Sequence, residues 1–199
     1  MVLELLAIGG GAVVVKDMFV HQIEADDSLS WVNDAWLQFA RDNKATHLTR
    51  EAILGRPLWD FITEATTRHF YQIIVQRVRT LARVIKLHYR CDSPEKRRFM
   101  RMEIHPLGEG RLQFRNWILR EEVRPALELL AASDGGSGRL ITMCSWCKRV
   151  NNPTAGEWQE PEQAVLQMQL FNCATPPPIT HGICSACEKA LEAEIEILA

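Results

Sequence analysis

Two Cys-x-x-Cys pairs constrain this chain more than any other feature. Cys144-Ser145-Trp146-Cys147 is answered by Cys184-Ser185-Ala186-Cys187. A turn with cysteines three residues apart brings both sulfurs to one side, and two such turns supply four thiolates to a tetrahedral zinc ion. The stretch from Ser185 to Leu191 is rich in good helix formers, so the second pair opens a helix. Positions i and i+3 share a helix face, which aims Cys184 and Cys187 at the same ion. Free backbone N–H groups at a helix start favour thiolate over thiol. The expected ligands are therefore Cys144, Cys147, Cys184 and Cys187, holding a structural zinc. Four protein ligands leave no open position for water, so metal catalysis is not expected.

The spacing between the pairs is unusual. Thirty-six residues separate Cys147 from Cys184, against roughly 15–20 in a simple zinc ribbon. Something folded must fill that gap. His181, three residues before Cys184, keeps a set of three cysteines and one histidine open as an alternative. Thiol–disulfide cycling and inert reduced cysteines are the competing readings of the same residues.

Of the 199 residues, 47% are hydrophobic and 24% charged, which describes an ordinary globular chain with room for one good core and a smaller second unit. The net charge of −2 makes no bulk case for nucleic acid or an anionic membrane. Residues 139–199 carry four Lys/Arg against seven Glu, the wrong sign for a ribbon that grips phosphates. The apolar start, Met1 to Ala7, lacks a basic flank, contains Glu4 and is too short to span a bilayer. Cysteine pairs without an export signal point to a reducing cytoplasm, where metal binding outranks disulfide formation.

Residues 18–24 read as a strand, Asp26-Asp27 as a turn and Leu29–Val32 as the returning strand. Asn33 is placed to cap a short helix over Asp34–Ala40. Phe70, Ile73, Ile74, Val78 and Leu81 recur at helical spacing between about Glu64 and Leu81, predicting a long amphipathic helix. The period then becomes two. Ile85, Leu87 and Tyr89, then Met100, Met102 and Ile104, then Leu112, Phe114, Asn116 and Ile118 mark three antiparallel strands. Two strands, helices and three strands make an α+β fold with a five-stranded antiparallel sheet and its helices on one face.

Trp31-Val32-Asn33-Asp34-Ala35-Trp36, then Ile53-Leu54-Gly55-Arg56-Pro57-Leu58-Trp59-Asp60-Phe61, then the helix and three-strand ending resemble the PAS sensor family over residues 17–119. The resemblance implies a domain that binds a small ligand or a protein partner, often flanked by signalling helices, and no catalysis. On that pattern residues 1–119 form the sensor, with 1–16 as an N-terminal extension. Residues 139–199, with His181-Gly182-Ile183-Cys184-Ser185-Ala186-Cys187, resemble a cysteine-rich module at the C-terminal end of bacterial PAS and response-regulator proteins. Between them, Val123, Leu127 and Leu130 at i, i+4 and i+7 predict a linker helix, ended by Asp134-Gly135-Gly136-Ser137-Gly138. Residues 120–138 are thus the expected linker. Pro161 to Phe171 reads as a helix with Val165, Leu166, Met168 and Leu170 as core contacts.

A PAS-type cavity lies between the sheet and its helices, so inward polar residues are the candidate ligand contacts. Asn116, between Phe114 and Ile118, and His21, between Phe19 and Ile23, are such residues, though either can equally be satisfied by the protein itself. His69 lies near the region from which haem-binding PAS domains present an axial ligand, but a lone histidine beside an apolar stripe reads as a surface or capping residue. The Asn-Cys-Arg-Phe signature of flavin-binding PAS domains is absent. Lys96, Arg97, Arg98 and Arg101 read as a solvated basic face. No nucleophile triad, phosphate loop or kinase motif occurs. The expectation is a non-enzymatic bacterial signalling protein. It would sense a small molecule, dock a signalling partner or self-associate, with the zinc unit as its output surface. A thiol redox sensor and a zinc-ribbon nucleic-acid regulator are the alternatives.

Overall fold

A computed structural model describes residues 18–131, 140–170 and 177–196. The expected N-terminal extension and the Gly/Ser linker lie outside these. The first strand, β1 (Phe19–Ile23), pairs antiparallel with β2 (Leu29–Val32). Asn33 then does two jobs. Its Oδ1 accepts the Trp36 amide and so caps α1 (Asp34–Asp42), and it also accepts the Val20 amide while Nδ2 donates to the Met18 carbonyl. A short α2 (Arg50–Ile53) and a 3-10 turn (Leu58–Phe61) lead to α3 (Ala65–Leu81). Glu64 caps α3 by accepting the Thr66 and Thr67 amides, a negative charge at the end where the helix dipole favours one.

Three strands follow, β3 (Ile85–Arg90), β4 (Lys96–Gly108) and β5 (Arg111–Val123). The sheet is wholly antiparallel, in the order β2-β1-β5-β4-β3. Its inner face, carrying Ile23, Leu87, Ile104, Leu112 and Phe114, closes on the apolar stripe of α3 formed by Phe70, Ile74 and Val78. The β4–β5 turn passes through Glu109 and Gly110, both at positive φ. A Cβ on Gly110 would sit 2.9 Å from that of Ala25, so this position requires glycine.

The predicted linker helix does not form. β5 continues through Val123, whose side chain is exposed, and only a 3-10 turn spans Glu128–Leu130. The i, i+4, i+7 spacing was outweighed by β4, which supplies partners for the extra residues: Arg98 lies opposite Glu121 and Lys96 opposite Val123. Leu127 and Leu129 instead bury themselves with Ile141, Met143, Val150 and Ala164 in a second, smaller core.

The C-terminal unit contains β6 (Ile141–Cys144), β7 (Val150–Asn152), β8 (Glu157–Gln159), α4 (Pro161–Gln167), β9 (Ile179–Gly182) and α5 (Ser185–Glu196). Its sheet has the order β8-β7-β6-β9. The long gap between the cysteine pairs is thus filled by a hairpin and a helix. Of the core contacts expected from α4 and its exit, Val165, Met168 and Leu170 pack on the second core, but Leu166 points to solvent.

The basic cluster on β4 is not a solvated face. Arg98 is buried, donating to Glu121 and to Asn43 while its guanidinium lies over the Phe39 ring. Arg97 reaches Glu162 at 2.9 Å, and Arg124 reaches the same carboxylate at 2.7 Å. Arg90 joins Asp92 and Glu160. Glu160 and Glu162 stand at the start of α4, so these ion pairs fasten the C-terminal unit to the five-stranded sheet.

The Asp92 side chain is fully buried between Arg90 and Arg124. Breaking a buried pair on one side costs roughly 3–5 kcal/mol because a desolvated charge is stranded. Arg90→Ala, with Arg124 still in place, should therefore lower unfolding stability by about 3 kcal/mol. Glu162→Gln, at a half-buried carboxylate, should cost about 1 kcal/mol or less. Urea unfolding of the two variants measures the contrast.

Candidate metal centre and adjacent cavity

β6 and β9 run parallel, Ile141 opposite Ile179 through to Cys144 opposite Gly182. Both cysteine pairs leave the same end of this strand pair, which is how residues so distant in sequence meet. After Cys144 the chain makes a tight turn in which Lys148 takes a left-handed conformation and donates its amide to the Cys144 carbonyl. The Cys144 amide donates to the Arg149 carbonyl at 2.7 Å, and the Ser145 amide to the Gly182 carbonyl at 2.8 Å. Cys184 directly precedes α5, and Cys187 lies in its first turn.

The four sulfurs lie within 4.8 Å of one another. Cys147 Sγ and Cys184 Sγ are 3.7 Å apart. A tetrahedron with metal–sulfur bonds of about 2.3 Å has sulfur–sulfur edges of about 3.8 Å, whereas a disulfide needs about 2.05 Å. The donor set thus fits a four-coordinate ion. A thiolate at Cys144 is favoured first by hydrogen bonds from the Cys147 and Cys187 thiols, and further by the Cys147 and Cys184 amides, against its burial. Its hydrogen bonding then pushes Cys147 up to about 12 and Cys187 well above the ordinary thiol range. A cation would be needed to hold all four as thiolates. His181 is exposed on β9 and falls outside the cluster, so the structure brings together the four-cysteine set rather than the alternative with one histidine.

Trp146 lies between the two cysteines of the first pair and is 6% exposed. β3 is the outermost strand of the five-stranded sheet, and Trp146 covers its edge. The indole Nε1 donates to the His88 carbonyl at 2.8 Å, and the Arg90 amide donates to the Trp146 carbonyl at 2.8 Å. Two backbone groups of an otherwise open strand edge are thereby satisfied. Leu191 and Ile195 of α5 enter the same apolar cluster as Ile74 and Leu87. The cysteine cluster is consequently built into the wall of the main core.

A partly open cavity of about 200 Å³ lies between the five-stranded sheet and the helices that face it. Tyr71 and Tyr89 line it, and the Trp146 ring lies 5.5 and 6.4 Å from theirs. Both expected contacts, Asn116 and His21, also line it, but in different states. Asn116 accepts the Tyr89 hydroxyl at 2.9 Å and donates to the Phe19 carbonyl at 3.4 Å. His21 stacks on Phe114 with ring centres 4.5 Å apart, and its Nδ1 is shielded from solvent with no hydrogen-bond partner. His69 lies on α3 and does not border the cavity. Tyr71 escaped the sequence reading because it stands one position off the apolar stripe. Nothing in periodicity marks such a residue.

No family model and no curated protein matches this chain. Among the described residues no helix is long and apolar enough to cross a membrane.

Burial lowers the His21 pKa from 6.5 to about 4. The unfolded chain therefore takes up a proton that the folded chain refuses between these values. Stability from this group is intact above pH 6.5 and is lost as pH falls toward 4. His21→Phe, which keeps a ring on Phe114, should flatten that loss, as read from urea midpoints at pH 7 and pH 4.5. Stripping metal with a strong chelator should lower the thermal midpoint, because Cys144, Cys184 and the Trp146 turn lose their common anchor. A Cys147→Ser variant should show the lower midpoint without chelator.

Proposed function

We propose that this chain is a non-catalytic, PAS-type signalling protein of the cytoplasm, with a structural zinc ion in the Cys144, Cys147, Cys184, Cys187 cluster. It senses a small molecule in the cavity beside His21 and answers through the zinc unit, which serves as a surface for a protein partner or a second copy. The observation that carries this reading is the position of Trp146. It belongs to the metal turn, covers the sheet edge and touches Tyr71 and Tyr89, two side chains that wall the cavity. Occupancy of the cavity and the posture of the metal turn share one piece of packed structure. Densely packed interiors transmit such displacements because they do not compress.

The arrangement of a five-stranded antiparallel sheet with helices between its second and third strands supports the PAS assignment. Zinc is favoured over other ions by an all-cysteine tetrahedral donor set. The Glu-rich C-terminal unit, with Glu160 and Glu162 already turned onto arginines of the sheet, supports a protein partner over nucleic acid.

Native mass spectrometry with metal analysis tests the zinc assignment. One zinc per chain, retained after mild oxidant, is expected. Release of zinc by mild oxidant would replace the structural role with a thiol redox switch. A metal-free protein that keeps its C-terminal fold in strong chelator would overturn the assignment. Trp146→Phe, which keeps an aromatic ring but loses the indole N–H, should speed zinc transfer to a chromogenic chelator severalfold.

A further inference from the structure

The walls of the cavity narrow what can occupy it. Its volume is about 200 Å³, while an apolar cavity of about 150 Å³ suffices for benzene. One ring or two fused rings fit, and larger cofactors do not. Six of the lining residues are Phe, Tyr or Trp, and none is Asp, Glu, Lys or Arg. A charged ligand would lose part of its hydration there with no counter-ion to replace it, which disfavours it. The Tyr89 hydroxyl and Asn116 amide satisfy each other and the Phe19 carbonyl. His21 is the lining residue whose imidazole keeps a nitrogen, Nδ1, without a hydrogen-bond partner. A buried polar ring without a partner is costly, and a ligand group hydrogen-bonded to the imidazole offsets that cost.

We infer that the cavity takes a small, uncharged aromatic molecule of one or two fused rings, whose single polar group hydrogen-bonds the imidazole of His21. This names the ligand class of the proposed sensor and rests on that reading. With its pKa lowered to about 4 by burial, His21 is a neutral imidazole at pH 7, offering one donor and one acceptor nitrogen. Stacking of the imidazole on Phe114 fixes its direction, so the polar group is read at one place. The larger cleft beside α5 offers no comparable selectivity. Its Arg90, Arg97 and Arg149 are already paired with Glu160.

The test is calorimetric titration of the metal-loaded full chain at pH 7 with indole, benzofuran and indene. These bicyclic probes share a shape and differ in carrying a donor, an acceptor or neither. Benzoate and benzylammonium serve as charged controls. Indole or benzofuran should bind at least tenfold more tightly than indene, and the two ions should not bind. The advantage over indene should vanish in His21→Phe and in His21→Leu. Equal binding of the three bicyclics, or an advantage that survives in both variants, overturns the role of His21 and leaves the sensor reading intact. Ions that bind as well as neutral probes overturn the uncharged class. Absence of binding by every probe to zinc-loaded protein overturns the ligand class together with small-molecule sensing.

Discussion

An edge strand leaves a row of backbone groups unpaired, and β3 is such a strand. What covers it is the turn that carries Cys144 and Cys147. Trp146 meets the His88 carbonyl with its indole and the Arg90 amide with its own carbonyl, so the loop of the first cysteine pair takes the place of a neighbouring strand. The rest of the C-terminal unit is arranged to keep it there. Parallel β6 and β9 bring the second cysteine pair alongside, and α5 then lays Leu191 and Ile195 against the main core. The proposed zinc would act on the sheet through the Trp146 turn and through α5.

Charge reinforces the same junction. The excess of glutamate in residues 139–199 has its counterpart in the arginines of β3, β4 and the segment after β5. Glu160 and Glu162 lie at the beginning of α4, where the helix dipole favours acids, and there they meet Arg90, Arg97 and Arg124. The opposite signs of the two halves are complementary within one molecule. The buried members of this network, Arg90 and Asp92, add little net stability while intact, since burial offsets most of their attraction.

Much of the architecture was legible beforehand. Period-two runs such as Ile85, Leu87, Tyr89 and the period-3.6 stripe of Phe70, Ile74, Val78 became the sheet and α3 because alternation and helical spacing are local properties of the chain. The cap at Asn33 and the cysteine pairs were legible for the same reason. Val123, Leu127 and Leu130 misled because short helical spacing is a weak local preference, while β4 offered β5 a continuous partner up to Val123. The arginines of β4 misled differently. Their neighbours, Glu121, Glu160 and Glu162, lie far away in sequence, beyond any charge-pattern rule.

Residue order alone determined which cysteines can bind as pairs, where the strands and the long helix run, and that His21 and Asn116 face inward, because each follows from spacing along a few residues. Tertiary structure decided that all four sulfurs form one cluster without His181, that Trp146 closes the edge of β3, and that Asn116 is satisfied while His21 Nδ1 is not. Those outcomes depend on which distant backbone segments come into register, and register between strands is set by packing across the whole sheet rather than by any one segment.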